Sequence, residues 1–201
     1  MATYQDLIAG ARSLIQDEIT PYRYNDILLL AFANDAHAAI GALKEEVYHR
    51  IDHYTCFANE VYQKVDPASS LGIVDILANV DARTPVTRIE RRDLDNFLPG
   101  WMNEAPGPAK HWMSTPGNRF VFIIYPQAEV GLQLEVLHAA LPDIATIGAA
   151  FPLAPIFEQA VKFYIASRAL AIDDENQNLD KSNYYGTQFN AVVVGATDED
   201  E

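Results

Sequence analysis

Between Tyr24 and Leu43 the chain reads YNDILLLAFANDAHAAIGAL. Asn25 or Asp26 can cap a helix here, and the pattern continues to about Tyr48. Stepping about 100° per residue from Ile27, the side chains of Leu28, Leu29, Leu30 and Phe32 cover almost the whole circumference. A helix that is apolar all round is surrounded by protein. A chain of 201 residues rarely encloses one of its own helices, so part of this one is expected to face another subunit. The run Lys44-Glu45-Glu46 turns polar and is expected to emerge into solvent.

Asn34, Asp35 and His37 interrupt that apolar run. They invite a catalytic reading, but at helical spacing they point in three directions. Asn34 lies near Ile27 and Ala31, Asp35 near Leu28 and Ala42, and His37 near Ala33 and Gly41. A catalytic set needs convergent groups. Buried polar groups need partners instead. Asn34 and Asp35 are therefore expected to bond loop backbone or an adjacent chain.

The rest of the chain frames this helix. Thr3 to Asp17 is amphipathic, with Leu7, Ile8, Ala11, Leu14 and Ile15 on one face and Thr3 and Asp6 as a short capping box. From about Asp52 the pattern alternates and favours strands: HYTCFANEVYQKV, then LGIVDILANVD. Arg88 to Phe97 reads as a short helical turn. Phe120 to Tyr125 and Val130 to Ala139 read as two strands of an antiparallel hairpin turning at Pro126 to Glu129. A helix opens at Pro152 or Pro155. Asp173-Asp174-Glu175 marks a break, and a last helix is expected over Asn176 to about Asn190. The expected fold class is α+β: a helical bundle formed by both chain ends, residues 1–51 and 151–195, with a small antiparallel β-rich insert, 52–150, and an acidic tail, 196–201.

Charge narrows the function. Asp and Glu number 28 against 14 Lys and Arg, a formal net charge of −14. Such a surface repels polyanions and argues against a groove that grips nucleic acid. It does not argue against a surface that nucleic acid slides past. One cysteine, Cys56, rules out an intrachain disulfide and fits a reducing compartment. The amino terminus lacks a basic and apolar leader, and no run is expected to approach membrane-spanning length, so no membrane partner is expected.

Chemical motifs are sparse. There is no GxxxxGK loop, GxSxG elbow, HExxH or paired CxxC. His49 and His53 have ligand spacing with Asp52 between them, but no third ligand follows, so no metal is expected. No cofactor is expected either. Arg88, Arg91 and Arg92 form the one dense basic cluster. Glu90, Asp93 and Asp95 dilute it, which favours a salt-bridged surface or subunit contact over phosphate binding. Glu45, Glu46, Glu129 and Glu135 are the carboxylates a hydrolase would draw on, and nothing in their spacing pairs them. The chain is not expected to be an enzyme.

The order of motifs resembles the head-to-tail adaptor (connector) proteins of short-tailed bacteriophages. The resemblance rests on TYQDLIAGARSLIQDE followed by YNDILLLAFANDAHAAI; on RIERRDLDNFLPGW, KHWMSTPGNRFVFIIYP and VGLQLEVLHAAL; and on IFEQAVKFYIASRALA with YYGTQFNAVV. It implies a virion protein of the head–tail neck, made in the host cytoplasm. It implies a ring, usually twelvefold, beneath the portal protein ring, extending the channel through which genomic DNA passes without specific binding and offering a platform to the tail nozzle protein. It also implies a carboxy-terminal segment that docks on the portal, here with Phe189, Val192, Val193 and Val194 as apolar anchors. A neck or head-completion protein that plugs the channel, or a virion-associated wall hydrolase, is the alternative.

Overall fold

The computed structural model describes residues 2–142, 145–172 and 177–195. The expected acidic break at 173–175, the start of the last helix at Asn176 and the acidic tail lie outside them. The chain divides into two compact units, one of Met1–Val47 with Pro142–Glu201 and one of Tyr48–Leu141.

In the first unit, α1 (Tyr4–Ile15) carries the expected box: Thr3 Oγ1 accepts from the Asp6 N–H and the Asp6 carboxylate accepts from the Thr3 N–H. α2 (Asp26–Leu43) is capped by Asn25, whose Oδ1 accepts from the Leu28 N–H at 2.8 Å. It stops before the expected end, and Glu45–Tyr48 continue as a 3-10 turn. α4 (Pro155–Leu170) starts with Pro in its first turn, where the missing N–H costs nothing. α5 (Leu179–Gly195) is longer than its polar sequence implies. Small residues let it lie close to α4. Ser167 Oγ donates to the Ser182 carbonyl and Ser182 Oγ donates to the Ser167 carbonyl, each at 2.9 Å, and Gly186 sits over Ser167.

The second unit is a sandwich of two sheets. One runs β1 (His49–Thr55), β7 (Gln133–Ala140), β3 (Ser70–Asn79). The other runs β2 (Tyr62–Lys64), β6 (Asn118–Tyr125), β5 (His111–Thr115), β4 (Thr87–Arg88). Phe122, Ile124 and Trp112 meet Ile76, Leu134 and Val136 between the sheets. Ile123, Tyr125 and Met113 point the other way, onto Leu94 of α3 (Arg91–Phe97) and Trp101. A strand buried on both faces reads as an unbroken apolar run, which is why FVFIIY does not alternate.

Three expectations are corrected. Among the described residues, no bundle formed by the two chain ends with a small antiparallel insert is present. α4 is the hub against which α1, α2 and α5 each pack, while α1 and α2 touch each other only lightly. The fold is α+β only in the coarser sense: α3 belongs to the β unit, the strands form two sheets, and β4 runs parallel to β5.

The expected hairpin is also wrong, because β6 and β7 belong to different sheets. The hairpin is β5–β6, turning at Pro116-Gly117, where Gly117 takes φ 75°. Finally, α2 is long and apolar enough, by length and composition, to cross a membrane, with a mean hydropathy of 1.3 over 18 residues. Here the face carrying Leu29, Ala33, Ala36 and Ile40 is buried, as in the core helix of a globular unit.

Candidate functional site

α2 is not apolar all round to the same effect. One face is buried. The opposite face, Ile27, Ala31, Ala38 and Ala42 with Asp35, is exposed, and Ile27 keeps 81% of its surface. This face is an exposed stripe of mostly small residues on one side of the helix.

The polar residues of α2 diverge as their spacing requires. Asn34 Oδ1 accepts from the Ala145 N–H at 2.8 Å and so ties α2 to the chain before α4. Asp35 is exposed. His37 is buried beside Tyr4 and Phe151, with Nε2 and the Tyr4 hydroxyl 2.6 Å apart. No substrate could meet all three.

Burial lowers the His37 pKa from 6.5 to about 4. The folded protein holds this imidazole neutral, while the unfolded chain takes up a proton at higher pH. The His37 contribution is therefore fully present above about pH 6.5 and is lost as pH falls from there towards 4. His37→Gln should flatten that part of the urea-unfolding profile between pH 7 and pH 4. An unchanged slope would show that His37 is not the titrating group.

The basic cluster does not converge. Arg88 on β4 donates to Ser114 Oγ at 3.2 Å and lies over the Trp112 ring. Arg91 pairs along α3 with Asp95 at 3.5 Å, and Arg92 is exposed. Phe189 packs edge-on against Tyr164 and is buried, as is Val193; Val192 is half-buried and Val194 is 71% exposed. Phe189 could meet a partner only if α5 left α4, whereas Val194 is already open to one.

His49 and His53 lie on β1, where Asp52 points to the opposite face. Asp52 accepts from Arg50 at 2.8 Å and pairs with His138 Nε2 at 2.9 Å, and the His138 contact holds its carboxyl below the usual value. These two residues line a cleft of about 320 Å³ with Lys64 and Asp66. Among the described residues no group of three His, Cys, Asp or Glu is placed to hold a metal. Glu135 stands opposite His53 in the sheet register, and Glu129 sits in the connection from β6 to β7.

Two features escaped the sequence reading. The first is a network centred on Arg12, which is 5% exposed. Its guanidinium reaches the carboxylates of Asp17 and Asp26 and the Tyr24 carbonyl. Together these contacts fix the loop that displays Ile19, 85% exposed. The available signal was an arginine inside the apolar stripe of α1 with acids at either end of the following loop. The second is a groove of about 560 Å³ floored by Phe157, and no motif marks it.

No curated protein matches the chain. A family model described as SU10 adaptor protein matches residues 2–200, nearly the whole chain. The chain therefore belongs to the SU10 adaptor protein family and is a phage structural adaptor, of the head-to-tail type.

Proposed function

We propose that this adaptor forms a ring, twelvefold by the resemblance, directly beneath the portal ring. There it extends the DNA channel and carries the tail nozzle. The family match over residues 2–200 carries this reading. The exposed stripe of α2 supports it, because Ala31, Ala38 and Ala42 let a neighbouring backbone approach closely. The charge of −14 supports a bore that DNA passes through at ejection without specific binding. Its place is the virion neck after synthesis in the host cytoplasm, with no role for a membrane. It acts as a structural part and not as an enzyme: His37 and Asn34 are committed to Tyr4 and to backbone.

Sedimentation of the purified protein with and without its portal protein tests this. A shift of the adaptor into a portal-sized particle is expected. A closed monomer that ignores the portal at every concentration would contradict it, as would clearing of cell-wall substrate in a zymogram.

A further inference from the structure

We propose that the free edge of β1 takes an extended strand from a different protein of the neck, apolar opposite Ile51 and carrying an uncharged hydrogen-bond donor opposite Asp52. The inference rests on the adaptor reading above. β1 is the edge strand of its sheet and pairs with β7 in continuous register. The Cys56 N–H on the Leu132 carbonyl, one residue past the strand, sets the phase of the ladder. Even-numbered residues of β1 therefore bond β7, and the N–H and C=O groups of His49, Ile51, His53 and Thr55 point away from it. These backbone groups make no hydrogen bond to the described residues, and all four residues are exposed.

Natural sheets blunt such edges, and the other edges here are blunted. On β2 the Tyr54 hydroxyl donates to the Lys64 carbonyl at 3.1 Å and accepts the Lys64 N–H at 3.2 Å. The pairing of β3 is irregular along its length, and Pro85 and Val86 lie along its far half. β4 is only Thr87–Arg88. β1 is the long edge left open.

An alternating row of donors and acceptors commits the occupant to an extended backbone. A second copy does not supply it. Its own open edge is β1, and β1 against β1 is a two-fold contact, which a ring of head-to-tail copies lacks. Asp198-Glu199-Asp200-Glu201 does not supply it either, because these residues are poor strand formers and share the sign of Asp52 and Asp66.

The flanking side chains set the chemistry of the strand. On the outer face Ile51 is 54% exposed and stands opposite Leu137, so an apolar residue beside it extends that row. On the inner face the cleft beside Asp52 runs over Val65 and Val136 to Asp66 and Lys64. Asp52 Oδ2 is taken by Arg50 and His138, and Asp66 Oδ1 by the Ala68 N–H. The other oxygen of each carboxylate accepts no hydrogen bond from the described residues. Arg50 and Lys64 match the two carboxylates in number, so the cleft lacks a donor and not a charge, as a Ser, Thr or Asn side chain would supply.

Amide hydrogen exchange tests the contact, in the free full-length adaptor and in necks purified from virions. In the free protein the Ile51 and His53 amides should exchange fast, while those of Asp52 and Tyr54 are held by β7. In the neck the Ile51 and His53 amides should slow by about tenfold or more. Ile51→Pro removes one outward N–H and no bond to β7, a change that an edge strand tolerates. It should keep the wild-type urea unfolding curve and lower the yield of complete necks. A ring whose Ile51 and His53 amides stay open would overturn the strand contact and leave the ring standing, as would a normal yield with Ile51→Pro. Slowing that appears in the purified adaptor alone and grows with its concentration would assign the edge to a second copy and overturn the proposal. Slowed amides in a neck without a ring would overturn the ring and keep the strand.

Discussion

Arg12→Met is expected to lower the unfolding free energy by about 3 kcal/mol, near the lower bound for breaking a buried ion pair from one side. Arg12 and Asp17 are both buried, with side chains 6% and 7% exposed. Removing the guanidinium leaves the Asp17 carboxylate uncompensated and the Tyr24 carbonyl without its donor. Asp17 keeps the N–H groups of Arg23 and Tyr24, which holds the loss to the low end. For a chain of this size the melting temperature should fall by roughly 6–12 °C. Adding Asp17→Asn should recover part of the loss, because the buried charge disappears while an acceptor for one of the two N–H groups remains. Equal stability of Arg12→Met and wild type in urea would mean that the network does not hold the loop.

Trp112→Ala should cost about 3–5 kcal/mol, the range for deleting a buried aromatic without collapse of the cavity. Trp112 is 2% exposed at the centre of the two-sheet core. Its indole N–H donates to Asp75 Oδ1 at 2.9 Å and its face carries Arg88. Trp112→Phe separates these contributions. It keeps most of the packing and loses the hydrogen bond, so about 1 kcal/mol should remain. If both variants unfolded at the same urea concentration, the hydrogen bond and not the packing would be the larger part.

The two networks differ in how far the sequence exposes them. The amino-terminal cap was readable because Thr3 and Asp6 meet across one turn, and the Asn25 cap for the same reason. The runs that form β1, β3, β6 and β7 were readable within a few residues because β-forming runs are local, while β4 and β5 were missed. Pairing was not. β6 and β7 are equally apolar neighbours in sequence, yet they pair with β5 and β2 and with β1 and β3. The Pro116-Gly117 turn held the correct hairpin in plain view. A bundle was expected from helical periodicity alone, which says which face is buried and not which helix covers it.

At the surface, the same limit applies. The apolar excess of α2 implied an external neighbour, and the exposed Ile27 stripe agrees with that chemistry. Phe189 and Val193 looked like free anchors only because the sequence does not show Tyr164 beside Phe189 or the burial of Val193. The Ile19 loop and the Phe157 groove carry no motif, since each is assembled from segments far apart along the chain.

The measurement closest to the central claim is a cryo-EM reconstruction of the neck of the virion that carries this protein. The expected result is a closed ring of its copies directly beneath the portal, with an open bore and the Ile27 stripe of each α2 buried. A single copy, a closed plug across the channel, or a position away from the portal would contradict it.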